Sequence, residues 1–270
     1  MRLALMKKLL FFFLIVCSAS AQTRFLSWNL ENFGASKTTE EIGFIAVTIS
    51  TYDIVALQEI VAGPGGAKAV ALLNDALNRT GEKWEYSLSD PTTTKSRGSE
   101  RYAFLWKTAK VKKIGTAWLD SNYKDMIDRE PYLCTFEYKS KQFTIVNFHA
   151  IPKAKQPETE IKYFQDLPDL YPTLNLVFSG DFNCPQSHSV FTPIRKLGYK
   201  PAFQKQKTSL KKSCKDNDCL ASEYDNIWYH NQKIKPVSTE AIHFYKFFKS
   251  LKTAKRISDH IPVTMVFNIN

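Results

Sequence analysis

After position 21 the chain has no apolar run approaching the ~20 residues a bilayer-spanning helix needs, so no later helical span is expected. It has no Pro/Gly/Ser linker, no low-complexity tract and no internal repeat, so nothing divides it into separate domains. It lacks a Ser-centred nucleophile elbow and a Gly-rich phosphate loop, which sets aside the enzyme classes built on those motifs. Cysteine is scarce, with 5 in 270 residues, and no histidine lies at ligand spacing near Cys134, Cys214 or Cys219; this argues against a zinc site.

Residues 1–21 read as an export signal. Arg2, Lys7 and Lys8 form a positive start, Leu9 to Val16 an apolar stretch, and Ala19-Ser20-Ala21 a small-x-small cleavage site. The expectation is a secreted or periplasmic protein without a stable membrane anchor. A lipoprotein linkage through Cys17 is the minor alternative, because Val16 is bulky where a small residue is expected. Residues 22–270 remain as one domain. The net charge is +11, or +8 without the three leader cations, which favours polyanionic partners such as nucleic acid or acidic membrane surfaces. Export allows disulfides. Cys214 and Cys219 bracket a polar Lys-Asp-Asn-Asp segment and are the favoured pair, with a bridge from Cys184 to one of them left open. Cys134 lies in an apolar strand pattern and is expected as a buried free thiol.

Apolar patterning predicts strands at Arg24–Phe33, Asp53–Ile60, Glu100–Trp106, Tyr132–Tyr138, Gln142–Phe148, Asn175–Asp181, Tyr224–Tyr229 and Ser258–Phe267. Helical spacing is predicted at Thr39–Ser50, Ala67–Leu77, Glu158–Leu167 and Val190–Leu197, and a basic, aromatic-rich helix at Ile242–Lys255. Strands and helices interleave, yet some strands follow one another through short turns. That predicts a layered α/β sandwich with mixed sheets.

The chemistry lies at strand ends. Asn29, Glu59, Glu100, His149, Asp181, Asn183, Asp225, Asp259 and His260 each end or begin an apolar run. Asp181 and Asn183 are two apart, so they share one side of a strand end. A carboxylate after a run such as Ile54–Leu57 is costly unless a cation or a proton holds it. Singly, each residue has an ordinary reading: Asp and Asn form turns, and a lone His is more often surface or core. Jointly they offer hard oxygen ligands (Glu59, Asp259, Asn29) suited to Mg²⁺ or Mn²⁺, with Ca²⁺ a further candidate. They also supply two histidines with carboxylates to orient them. These are the parts that hydrolysis of a phosphodiester needs.

Trp28-Asn29-Leu-Glu-Asn-Phe-Gly34, Asp53-Ile-Val-Ala-Leu-Gln-Glu59, Ser99-Glu100-Arg-Tyr102, Arg129-Glu-Pro131, Asn147-Phe-His149, Gly180-Asp-Phe-Asn183, Tyr224-Asp225 and Ser258-Asp-His260 resemble the endonuclease/exonuclease/phosphatase superfamily. Within it the secreted deoxyribonuclease I-like branch is the nearest match, over nearly all of residues 22–270. The resemblance implies a four-layer α/β sandwich with two central mixed β-sheets flanked by helices. It implies Glu59 as principal metal ligand with Asn29 and Asp259. It implies Asp181 and Asn183 positioning water and phosphate, and proton transfer by His149 with Glu100 and by His260 with Asp225. Arg129 would hold a phosphate oxygen. The expected protein is a monomeric endonuclease acting on DNA, with RNA as a further candidate substrate. Two positions depart from the branch's pattern. Val61 stands where a basic groove-reaching residue is expected, and Gly98 where an aromatic is expected. Lys153, Lys155, Lys246, Lys249 and Lys252 are candidates for replacing the lost phosphate contacts. Rival readings are a phospholipid head-group phosphodiesterase docking through Phe244, Tyr245, Phe247 and Phe248, a phosphomonoesterase, and a non-catalytic nucleic-acid-binding module.

Overall fold

The computed structural model describes residues 22–93, 98–216 and 218–270; the expected export signal lies outside the described residues. The elements are β1 (Thr23–Phe33), α1 (Thr39–Ile49), β2 (Ile54–Val61), α2 (Pro64–Asn78), β3 (Trp84–Leu88), β4 (Glu100–Lys107), β5 (Lys112–Leu119), β6 (Tyr132–Tyr138), β7 (Lys141–His149), α3 (Glu158–Ile161), α4 (Leu167–Leu170), β8 (Leu176–Asp181), α5 (Thr192–Lys196), β9 (Tyr199–Pro201), β10 (Leu210–Lys215), β11 (Asp218–Leu220), β12 (Asp225–His230), β13 (Ile234–Ala241), α6 (Leu251–Ala254) and β14 (Val263–Ile269).

Two six-stranded sheets form the centre, ordered β13-β14-β1-β2-β4-β3 and β5-β6-β7-β8-β12-β9, with β10-β11 a separate pair. Both are mixed: β1 pairs parallel with β2 and β7 with β8, among antiparallel neighbours. The central strands are apolar on both faces because each sheet is covered twice. On β7 and β8, Phe143, Ile145 and Val177 join the core shared with the first sheet, whereas Val146, Phe148 and Phe178 join a second core. That second core is closed by Phe164, Leu167, Phe191 and Ile194 from the flanking helical segments. On the other side, α1 and α2 cover the first sheet. The α1 stripe Ile42, Ile45, Ala46 and Ile49 is buried, and Thr38 and Glu41 close a capping box at its start. Each buried isoleucine of that stripe contributes about 1.5–3 kcal/mol. The layers run helices, sheet, sheet, helices, as the family resemblance implied.

One glycine sets the spacing on which the site depends. Gly180 on β8 pairs with Phe148 on β7. Its φ is +134°, and a Cβ placed there would come within 1.9 Å of the Phe148 carbonyl oxygen. Only glycine lets the two strands meet at this rung.

Three predicted helices are shorter than their patterns; Val190–Leu197 is a 3₁₀ turn at Ser189–Phe191 followed by α5. Ile242–Lys255 is a 3₁₀ turn at Phe244–Phe247, an extended Phe248, and one turn of α6. Phe244 is drawn onto Trp28 (ring centroids 5.2 Å apart) and Phe248 onto Phe44 (4.9 Å), and the Ser250 hydroxyl caps a new start by accepting from Thr253 N–H. Tertiary aromatic packing overrides helical spacing here. The Glu158–Leu167 stretch splits into α3, a 3₁₀ turn at Lys162–Gln165, and α4 with Pro168 near its start. Cys214 and Cys219 form the favoured disulfide, and Cys134 and Cys184 are buried free thiols. Burial pushes the Cys134 thiol to about 12 and that of Cys184 to about 11. Among the described residues no helix is long and apolar enough to cross a membrane.

Candidate active site

Strand register builds half the site in one row. His149 at the end of β7 pairs with Asp181 on β8, and Asp181 pairs with Asp225 at the start of β12. Side chains alternate along a strand, so these three lie on the face carrying Ile145, Val177 and Ile227, toward the other sheet. The first sheet faces them with Asn29 from β1, Glu59 from β2, Glu100 from β4 and His260 just ahead of β14.

The first sheet delivers its polar groups through irregular backbone. Pairing of β1 with β2 shifts between Asn29 and Phe33, and pairing of β2 with β4 shifts between Leu57 and Ile60. In these bulges Glu31, Asn32 and Glu59 have φ of 40°, 52° and 58°, and Asn183 beyond β8 has 48°. Such conformations cost about 1–3 kcal/mol for a residue with a branched or bulky side chain. Bulges near sites re-aim side chains, and here the carboxylate of Glu59 is turned toward Asn29 and His149.

The side chains interlock. His149 Nδ1 lies 2.7 Å from Glu100 Oε1 and His260 Nδ1 lies 2.6 Å from Asp225 Oδ2. The opposite nitrogens converge: His149 Nε2 and His260 Nε2 are each 3.6 Å from Asp181 Oδ2. His149 Nε2 is also 3.7 Å from Glu59 Oε1, and His260 Nε2 is 4.0 Å from Asp259 Oδ1. Asn29 Nδ2 donates to Glu59 Oε1 at 2.9 Å and to Asp181 Oδ2 at 3.1 Å, while its Oδ1 accepts from Glu31 N–H at 3.0 Å. Asn183 N–H donates to Asp181 Oδ1 at 2.8 Å, and Asn183 Nδ2 to the Ala150 carbonyl at 3.0 Å. Arg129 donates through Nε to the His149 carbonyl at 3.1 Å and through Nη2 to the Ala150 carbonyl, and its Nη1 is 3.6 Å from Glu100 Oε2. Arg129 therefore fixes the strand end that carries His149 and the carboxylate that orients it.

Burial disfavours charge on both histidines, yet each ends above its ordinary value. Glu100 outweighs burial at His149, and Asp225 with Asp181 outweighs it by a wider margin at His260. Burial likewise opposes charge on Asp181, but the facing His260 and His149 hold its carboxyl below the usual range. Burial, with Asp181 close by, raises the Asp225 carboxyl. Asp225 and His260 face each other across the 2.6 Å contact, and the opposite ring nitrogen faces Asp181 at 3.6 Å. Outside the buried set, burial raises the carboxyl of Glu31, and Asp259 and Glu59 add to the rise. Negative charge is thus concentrated on this rim.

A hard divalent cation fits that donor set. Among the described residues, Asp181, Asp225 and His260 place one ligand atom each within 4.8 Å of one another. In that trio Asp225 Oδ2 and His260 Nδ1 already hold each other. Glu59 and Asp259, whose side chains keep 21% and 37% exposure, are the carboxylates open to an arriving ion. Asn29 presents its amide nitrogen to the carboxylates, so its oxygen joins them only after an amide flip.

Every residue singled out at the strand ends lies in this one cluster. Others were given no role by the sequence, although Gln58, Asn147 and Ser258 stand in the motifs quoted above. Gln58 Nε2 donates to Ser27 Oγ at 3.0 Å and to Asn147 Oδ1 at 2.6 Å, and Asn147 Nδ2 reaches the Leu57 carbonyl at 3.0 Å. This polar pad, fully buried between the sheets, ties them together beneath the site. Ser258 Oγ–H donates to the Asn29 carbonyl at 2.6 Å and accepts from His260 N–H. Glu160, 3% exposed, accepts from Asp128 N–H at 2.6 Å and Ile151 N–H at 2.9 Å, clamping the loops that carry Arg129 and His149. Asn147 inside the Ile145–Phe148 run carries its own signal, since a polar residue in an apolar run must find buried partners.

Residues 26–260 match the model of the Endonuclease/Exonuclease/phosphatase family. The chain belongs to that family. It is 26% identical to a deoxyribonuclease of Thioalkalivibrio sp. (strain K90mix), over 95% of this chain and 74% of the relative. It is 28% identical to human deoxyribonuclease gamma, over 94% of this chain and 88% of that one. The solved structure of the human Nocturnin catalytic domain with bound sulfate shares the fold of this family member at a TM-score of 0.66 and 16% identity, covering 93% of this chain and 94% of that one.

Proposed function

We propose that the chain is a secreted, divalent-metal-dependent endonuclease that hydrolyses DNA phosphodiester bonds with little sequence preference. One observation carries this reading. Two carboxylate-held histidines point their free nitrogens at a single buried aspartate, Asp181. Relatives named deoxyribonucleases, aligned over almost the whole chain, support DNA as the substrate.

In this mechanism Glu100 and Asp225 hold the Nδ1–H of their histidines and so turn each Nε2 inward. One Nε2 takes a proton from the attacking water and the other returns one to the departing sugar oxygen. The facing carboxylates raise the proton affinity of both rings against the effect of burial, more at His260 than at His149. Asp181 and Asn183 orient the water and the phosphate. Arg129 keeps His149 and Glu100 in register, with its remaining N–H groups available to a phosphate oxygen. A bound divalent cation adds positive charge at the phosphate; Glu59 and Asp259 would hold it, with Asn29 after the flip of its amide.

Purified protein incubated with supercoiled plasmid and Mg²⁺, Mn²⁺ or Ca²⁺ is expected to yield nicked circles, and EDTA to stop the reaction. His149→Ala and His260→Ala are each expected to slow it by about 100-fold or more. Folded protein that nicks with none of these cations overturns the proposal. Parallel arms with RNA, with choline phospholipid vesicles and with sugar phosphates separate it from the related hydrolytic chemistries.

A further inference from the structure

The chain's positive charge is gathered in two short places. Segments 205–215 and 246–256 together hold ten Lys and Arg and no acidic residue, in 22 of 270 positions, against a net charge of +11 for the whole chain. They lie far apart in sequence and together in space. Leu210 N–H donates to the Asp259 carbonyl at 2.6 Å, Ser209 bridges to His260, and Ile261 N–H donates to the Thr208 carbonyl at 2.8 Å. The second segment runs directly into Ser258-Asp259-His260, and α6 packs against β10. Both segments therefore spring from the strand start that carries His260.

Their cations are mostly free. Asp218 takes Lys207 and Lys211, at 3.3 and 2.8 Å, and Glu41 takes Arg256 at 2.5 Å. None of the ion pairs among the described residues involves Lys212, Lys246, Lys249 or Lys252. All four of these lysines are exposed. The framework beneath is stiff. The Cys214–Cys219 disulfide closes the β10–β11 hairpin, and Phe244 and Phe248 pin the other segment to Trp28 and Phe44. Holding this many unpaired like charges side by side is unfavourable without a counter-charge. The surface carries one large exposed apolar side chain, Phe247 at 79%, so its character is cationic more than lipid-seeking.

We propose that these two segments form one cationic shoulder that grips the phosphate backbone of a nucleic acid beyond the cleaved bond, on the Asp259–His260 side of the site. The inference rests on the nuclease reading for the direction in which the strand leaves the site. Its core, a polyanion-binding surface at this place, is testable without turnover. It also supplies an answer to Val61, an exposed apolar residue where a groove-reaching cation is expected. Affinity lost at β2 is regained on the other rim.

The test measures binding of a fluorescein-labelled duplex of about 20 base pairs to the full chain in the His149→Ala background, in EDTA, across a NaCl series. Two charge-matched variants are compared. One replaces Lys212, Lys246, Lys249 and Lys252 with Gln. The other replaces Lys110, Lys112, Lys139 and Lys235, exposed lysines at the opposite ends of the strands. Each phosphate contact contributes about 0.9 to the slope of log affinity against log salt. The shoulder variant is expected to lose about 3 from that slope and at least roughly tenfold in affinity at low salt, with the distal variant nearly unchanged. Equal losses in both variants overturn the proposal, because net charge alone then explains binding. Tighter binding of the parent to phosphatidylserine vesicles than to DNA, lost on Phe247→Ala, overturns it in favour of a membrane surface. Plasmid nicking by the parent is read separately and succeeds or fails independently of either result, so a failed nuclease reading is told apart from a failed shoulder.

Discussion

At the scale of single residues, the site is a set of charges that hold one another. His149 and His260 carry folded-state proton affinities above the ordinary histidine value because Glu100, Asp225 and Asp181 outweigh burial. A group whose folded pKa is raised takes up a proton on folding. Its stabilising contribution is complete below its unfolded pKa, about 6.5, and is lost as pH rises through the higher folded value. Metal-free protein in EDTA is therefore expected to show a falling Tm as pH is raised from about 6.5 into the alkaline range. His260→Gln should show a shallower fall. A Tm that is flat or rising over that window in the parent contradicts the assignment of charged histidines. Asp181 acts in the opposite sense: its depressed carboxyl contributes stability that is present above its unfolded value and lost as pH falls through the folded one. Individual residue types were readable in the sequence because each interrupts or ends an apolar run. The resemblance implied the pairs His149 with Glu100 and His260 with Asp225, and those side chains are in contact; the partners of Arg129 could not be read, since it was expected to serve phosphate, yet two of its donors hold the carbonyls of His149 and Ala150.

At the scale of elements, the decisive feature is a row of paired strand ends. His149, Asp181 and Asp225 share one rung only because β7 and β8 approach at Gly180. Gly180→Ala places a Cβ against the Phe148 carbonyl and forces a positive φ on alanine. The expected loss is about 1–3 kcal/mol or more of stability, read by urea unfolding, together with loss of activity beyond what the stability change explains. An unchanged midpoint and an unchanged rate in the Gly180→Ala variant contradict the close-approach argument. The buried central strands were legible because apolar runs flanked by polar ends leave few alternatives. The half-exposed β5 and β13 were not, since their side chains alternate weakly and their pairing decides them. The Ile242–Lys255 stretch failed for a different reason. Its aromatic residues satisfy helical spacing locally, but Trp28 and Phe44, from the other end of the chain, draw Phe244 and Phe248 to separate contacts.

At the scale of the whole molecule, two sheets bring polar residues from both ends of the chain to one rim. The buried Gln58–Asn147 contact ties the sheets beneath that rim, and the β10–β11 hairpin and α6 place positive charge beside it. A layered α/β sandwich with mixed sheets was legible because strands interleave with amphipathic helices; the four-layer order came from the family resemblance. The bulges at Asn29–Phe33 and Leu57–Ile60, which aim Glu59, were not, because positive φ at Glu has no sequence signature. The central claim is that histidines 111 positions apart serve one reaction centre. Rates of plasmid nicking by His149→Ala, His260→Ala and the double variant test it most directly. Groups acting as one unit are non-additive, so the double variant is predicted to be about as slow as the slower single variant. Losses that multiply, or a single variant that keeps the parent rate, would contradict it.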